Sequence, residues 1–180
     1  MTAAPSWPAI PFDPNSGGWA DTCAALHLWC QILGKVRLAH TPWVNHSWHA
    51  TLYGTPRGLS TGPIHLLGGG CATLLLDLVD HRLVVEADGG AREVFALEPM
   101  SVAEFHARAR RAVEDVGGTF DIHGSPNEVS EAVPFAEDTT ERPYDAEAAA
   151  RFHGALLRIV PVFERFRTSF LGKASPVHLF

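Results

Sequence analysis

The sequence predicts an α+β fold, an antiparallel sheet of about four to six strands with helices packed mainly on one face. Two patterns predict it. Apolar residues recur at helical spacing in three stretches, whereas residues 48–97 break into short strand-like runs separated by Gly- and Asp-containing turns. In addition, 180 residues with 46% hydrophobic and 19% charged composition can bury one core without a metal or disulfide staple.

Residues 1–18 hold four prolines and a Gly-Gly pair and read as an extended arm, leaving 19–180 as a single α+β domain. From Asp21, the apolar positions Cys23, Leu26, Trp29, Cys30, Leu33 and Val36 predict a helix of about 16 to 18 residues that Pro42 ends. Cys23 and Cys30, seven apart, fall on one helix face as small core residues. Trp48–Tyr53 alternates as a strand with His49, Thr51 and Tyr53 on one side. A turn at Thr55–Gly58 leads to a strand near Leu59–Ile64. Gly68-Gly69-Gly70 is a flexible join, because no helix start and no Gly-Lys-Ser/Thr follows it. Ala72–Val79, Arg82–Ala87 and Glu93–Leu97 complete the strands, the last two joined at Asp88-Gly89-Gly90.

Ser101 and Glu104 form a capping box for a helix that stops at Gly117-Gly118. Thr119–His123 reads as a short strand, and Ser125-Pro126-Asn127-Glu128 as a second capping box opening about two helical turns. Asp145 caps a long helix whose stripe is Phe152, Leu156, Ile159, Phe163, Phe166 and Phe170. Pro161 is expected to kink it and Gly172 to end it, before a strand start at Val177–Phe180.

The net charge is −6, yet residues 1–76 carry two acids against three bases. An acidic chain with no basic run does not suit a nucleic-acid backbone. No apolar run is long enough to span a membrane. The start has neither a basic region nor an apolar one, and three cysteines without a CxxC pair do not suggest a disulfide framework. A soluble cytoplasmic protein is expected, with no nucleic-acid or membrane partner and with a homo-oligomer compatible. All five tryptophans fall within the first 48 residues, and only Lys35 and Lys173 are lysines.

Four sets of residues carry candidate chemistry. His46, His49 and His178, with His81, offer imidazoles for a divalent metal, although no HExxH-type template is present. For His49 alone, a histidine satisfied by one backbone bond competes with that role. Lys35, Arg37, Arg57, Arg82 and Lys173, with Tyr53, form a cationic set suited to a carboxylate or phosphate if they converge. The competing reading pairs these cations with Asp77, Asp80, Glu128 and Glu164. Asp77 stands inside the apolar run Leu74–Val79, where a carboxylate must face solvent or be paired. If Asp77 is buried beside Arg82 or His81, Asp77, Asp80 and His81 become acid/base candidates. Trp43 and Trp48 flank the His46/His49 pair as an aromatic pocket wall would. His27, His40, His106, His123 and His153 read as surface or helix-edge residues.

Seven spaced strings resemble a known family. They are Gln31–Leu38; Asn45–His49 with Leu52-Tyr53; Thr55–Leu59; Asp77–Val85; Pro126–Val129; Phe163–Arg167; and Phe170–His178. Together they resemble the uncharacterised bacterial domain-of-unknown-function family 5996. The resemblance implies no activity. It does imply that members run on beyond Ser175-Pro176-Val177-His178, so that this chain corresponds to their N-terminal portion. It also implies that His65, where relatives carry proline, is not a shared functional residue.

Two functional readings follow. One is an enzyme or small-molecule-binding domain with a polar His/Arg/Lys pocket between the first helix and the sheet, taking a small anion or a divalent metal. The other is a non-catalytic structural or protein-interaction module.

Overall fold

The structure is a computed structural model and describes residues 17–180. Helix α1 runs Gly17–His40, and a 3-10 helix follows at Asn45–Ala50. Five strands then form one antiparallel sheet in sequence order: β1 Tyr53–Thr55, β2 Gly58–His65, β3 Cys71–Asp77, β4 Arg82–Ala87 and β5 Arg92–Ala96. Strand β6 (Met100–Ser101) leads straight into α2 (Val102–Asp115) and pairs with β7 (Glu141–Arg142). Helix α3 spans Ala146–Arg167. The α+β class and the antiparallel sheet are as the sequence predicts.

Sheet pairing aligns the apolar residues of neighbouring strands. Leu59, Leu76, Leu83 and Phe95 form a row across β2 to β5, with Ala72, Leu74, Val85 and Ala87 on the same face. That face packs on α1 through Ile32, Leu33 and Val36 and on α2 through Phe105 and Ala109. The centre of the core is aromatic. Trp29 is fully buried and stacks on Phe105, with ring centroids 4.8 Å apart. Strand β2 contains a register shift between Ser60 and Pro63, where the Thr61 hydroxyl accepts the Leu74 amide (3.1 Å). The proline is tolerated there because a side chain stands in for a ladder bond.

The caps at Ser101 and Asp145 form as expected. Ser101 accepts the Glu104 amide, and Asp145 accepts the amides of Glu147 and Ala148. Gly17 and Gly18 belong to α1 rather than to an arm, while the rest of the expected arm lies outside the described residues. Four expectations are corrected. The run Trp48–Tyr53 is not a strand, because local bonds between side chains and backbone capture it. Thr51 donates to Trp48 O (3.0 Å), Thr41 donates to His49 O (3.2 Å), and His46 and Ser47 turn the chain with positive φ. Thr119–His123 pairs with no strand. Ser125–Glu128 opens no helix, since the Asn127 amide is taken by Gln31 Oε1 at 2.8 Å and Glu128 has a φ of 55°. Helix α3 ends at Arg167, capped by Thr168, before Gly172 is reached. At the chain's far end, Leu179 makes one antiparallel bridge to Leu52.

Only the first half of the α3 stripe is covered. Phe152 and Leu156 pack against the core, whereas Phe163, Phe166 and Phe170 are exposed. No helix among the described residues is long and apolar enough to cross a membrane.

Gly58 sets the close approach of the β1–β2 turn to β3. A Cβ placed there would lie 1.9 Å from the Leu76 carbonyl oxygen, and φ is +154°. Neither backbone can move without breaking the ladder. Gly58→Ala is therefore expected to cost about 3 kcal/mol or more of stability, read as a lowered urea midpoint.

Candidate functional site

The candidate residues fall into three places rather than one. The first is an ion cluster at the β3–β4 turn. Asp77 is 1% exposed, and its Oδ2 accepts Arg57 Nε (2.9 Å) and an Arg57 terminal nitrogen (2.7 Å), with Arg82 Nε at 3.5 Å. Its Oδ1 accepts the amides of Val79 (3.1 Å) and Asp80 (3.0 Å). Asp80 closes the ring by pairing with Arg57 (2.6 Å) and Arg82 (2.7 Å). Burial alone would raise the Asp77 pKa. The Asp80 amide, the Arg57 guanidinium and the Val79 amide outweigh it and hold the carboxyl below the usual carboxylate range.

Asp77 is buried beside Arg82, as the acid/base reading requires, but the geometry commits its oxygens to structural pairing. A carboxylate saturated by two arginines and two amides has no lone pair directed at a substrate. Asp80 and His81 are neighbours in sequence but not a dyad in space. Asp80 faces the arginines, while His81 Nδ1 shares a hydrogen bond of 2.9 Å with the Tyr144 hydroxyl. Burial, then Asp145 and Asp77, push the Tyr144 pKa above its ordinary value, so its phenol stays protonated.

The second place is a cavity of about 320 Å³ where the C-terminal end of α1 meets the 3-10 helix and β1. Arg37, Thr41, Trp48, His49, Tyr53 and Pro176 are among its lining residues. The Arg37 guanidinium is clamped from below. It donates to the Thr51 carbonyl and to Thr51 Oγ1 (3.0 Å), reaches Tyr53 Oη at 3.4 Å, and lies 4.9 Å above the Tyr53 ring. All these partners are uncharged. Arg37 Nε and His178 Nδ1 are buried without a hydrogen-bond partner among the described residues. His178 stands edge-on to Tyr53 with centroids 6.1 Å apart, and burial, then the Arg37 charge, lower its pKa. Lys173 extends over the Trp48 ring at 5.9 Å.

The imidazoles do not assemble a metal site. His49 Nδ1 accepts the Val44 amide (3.1 Å), His46 stacks on Trp48, and His178 lies against Tyr53. Among the described residues no group of three His, Cys, Asp or Glu side chains is placed to hold a metal ion. The reason is local: the positive-φ turn at His46 and Ser47 directs His46 outward, and His49 is spent on the backbone.

The third place is a cavity of about 470 Å³ against another face of α1. Lys35 is here, donating to Asn127 Oδ1 at 3.0 Å, so it does not join the other cations. Cys23 and Cys30 also line this cavity; Cys30 packs against the core as expected, whereas Cys23 is exposed and is not a core residue. Burial, with a smaller contribution from Cys23, pushes the Cys30 thiol up to about 12. Sequence reasoning also misplaced two histidines at the surface, whereas His27 is exposed as expected. His40 is buried, bonded through Nδ1 to Val36 O (2.8 Å), and His153 is buried, bonded through Nε2 to Thr55 O (2.8 Å). His27 lines the larger cavity.

Comparison with known proteins gives a family and no activity. The model of the family of unknown function DUF5996 matches residues 7–180, essentially the whole chain and not a front segment of it, and the chain belongs to that family. No curated protein and no solved structure matches it.

Because Asp77 titrates below its unfolded value, it binds its proton more weakly in the folded state. Its contribution to stability is complete above the unfolded pKa of about 4 and disappears as the pH falls through the folded value. Asp77→Ala should lose about 1–3 kcal/mol at neutral pH by leaving the Val79 and Asp80 amides without their acceptor. Asp77→Asn should flatten the acid limb of a stability-against-pH curve measured by urea unfolding. An unchanged limb would exclude Asp77 as its source.

Proposed function

We propose that this DUF5996 member is a small-molecule-binding domain whose cavity at Arg37, Tyr53 and Trp48 takes a compact oxyanion, a carboxylate or phosphate group. One observation carries the reading: Arg37 is a half-buried guanidinium on a cavity wall, and its hydrogen-bond partners are all uncharged. In a chain of net charge −6, arginines readily find carboxylates, as Arg57, Arg82, Arg108 and Arg142 do. A cation held in place by neutral groups keeps its charge available to a ligand. Lys173 over Trp48 supplies a second positive charge near the same cavity, and the Trp48 and Tyr53 rings supply apolar walls.

Titration calorimetry with inorganic phosphate and with small mono- and dicarboxylates tests this. Binding near one-to-one is expected, with thermal stabilisation that grows with ligand concentration. Arg37→Gln should abolish it. Lys173→Ala, a change outside the core, should weaken it by about tenfold with no loss of stability. A wild-type protein that binds none of these probes, or an Arg37→Gln variant that binds them equally, removes the reading.

A second reading, an interaction module, draws support from the exposed Phe163, Phe166, Phe170 and Leu171. Such a patch on a monomer commonly marks a contact surface. Self-association is its simplest form. Light scattering on the purified chain should then show a concentration-dependent dimer that Phe163→Ser with Phe166→Ser dissolves, and a monomer at every concentration counts against it.

A further inference from the structure

Helix α1 carries, beside its core face, a mixed apolar and polar stripe that lines a cavity. Its core face carries Ala25, Trp29, Ile32, Leu33 and Val36. A second stripe, Cys23, Leu26, His27, Cys30, Gln31, Gly34 and Lys35, follows the same three-and-four spacing and lines the cavity of about 470 Å³. That cavity is apolar over most of its surface, with Leu52, Phe152 and Leu179 facing Leu26, and with Trp19 packed on Phe152 at 5.2 Å. Its polar groups gather toward one part of the wall, and they are fixed. The Asn127 amide donates to Gln31 Oε1 (2.8 Å), Gln31 Nε2 donates back to Asn127 O (2.9 Å), and Lys35 Nζ donates to Asn127 Oδ1 (3.0 Å). Lys35 therefore has a defined position, an uncharged partner and two further N–H donors. Glu128 lines the same cavity but forms no ion pair with Lys35.

We propose that this cavity is a second binding site, for a molecule with an apolar body and a single carboxylate head, the head on Lys35 and the body along Leu26, Leu52, Phe152 and Leu179. Its size lies within the range of about 300–1,000 Å³ usual for small-molecule sites, and an apolar chamber with few convergent polar groups is their usual chemistry. The Lys35 ammonium is partly buried, and partial desolvation strengthens its attraction for an anion. Burial already lowers the Lys35 pKa, which a carboxylate beside it would reverse. The site is independent of the oxyanion cavity. Lys35 and Arg37 are two residues apart on α1 and so point to different sides of the helix.

Decanoate is the probe, with acetate as the head alone and 1-decanol as the body alone. Calorimetry on the full chain should show decanoate binding more tightly than either. Lys35→Met should weaken decanoate by about tenfold or more, as expected for one lost charge-assisted hydrogen bond. Cys23→Trp, a change at an exposed rim position that fills the cavity, should abolish binding whatever happens at Lys35. All these titrations are made in the Arg37→Gln background, which silences the oxyanion cavity, and decanoate should still bind there. Bound decanoate should also slow iodoacetamide alkylation of Cys23, followed by peptide mass spectrometry. The proposal is overturned if decanoate does not bind in that background, if 1-decanol binds equally well, or if Cys23→Trp still binds.

Discussion

A carboxylate taken out of water at the end of β3 organises one end of this protein. Asp77 has its negative charge balanced by Arg57 from the β1–β2 turn and by Arg82 from the start of β4, while the Val79 and Asp80 amides close the turn around it. A buried charge tolerates few arrangements, so the two turns are held in one relation. The consequences pass outward along the chain. The fixed Thr55–Gly58 turn presents the Thr55 carbonyl to His153, which docks the first half of α3. It also fixes β1, and with it Tyr53, whose ring lies under Arg37. The ion cluster thus positions a cavity to which it does not itself belong.

Electrostatics divides the basic residues into two kinds. Arg57, Arg82, Arg108 and Arg142 are matched with carboxylates and serve the fold. Arg37 and Lys35 are matched with carbonyls, hydroxyls, an amide and aromatic rings. The second kind supports the binding readings proposed above, because uncharged partners orient a cation without neutralising it. Both stand on α1, whose core face leaves them on its flanks.

Much of the fold was legible because it is written in local periodicity. The α2 capping box, the Asp145 cap and strands β2 to β5 follow from spacing and turn chemistry that act within a few residues. The misreadings occur where a distant group competes with the local signal. Asn127 carries a valid helix-start pattern, but its amide is claimed by Gln31, ninety-six residues away in sequence. Trp48–Tyr53 alternates as a strand should, yet Thr41, Thr51 and Val44 tie its first half into a 3-10 helix and only Tyr53 joins β1. The cationic residues were individually visible, but their division among three places depends on which helix flank meets which loop. The larger cavity did leave a trace in the sequence. Cys23, Leu26, Cys30 and Gly34 repeat at helical spacing beside the core face, so that this stripe lines the cavity while Leu26 and Cys30 also touch the core.

One helix forms a wall of both cavities. The two are separated by no more than the thickness of α1, about 10 Å with its side chains. Gly34 lets the 3-10 helix pack closely on α1, since the Ala50 carbonyl would lie 2.9 Å from any Cβ added there. Occupants of the two cavities would share a rigid partition and not a flexible hinge. Whatever free energy one occupant adds to or takes from the other must then be returned in equal amount, as reciprocity between linked sites requires. A single α-helix would serve this protein as the common ledge on which two chemically different guests exchange influence.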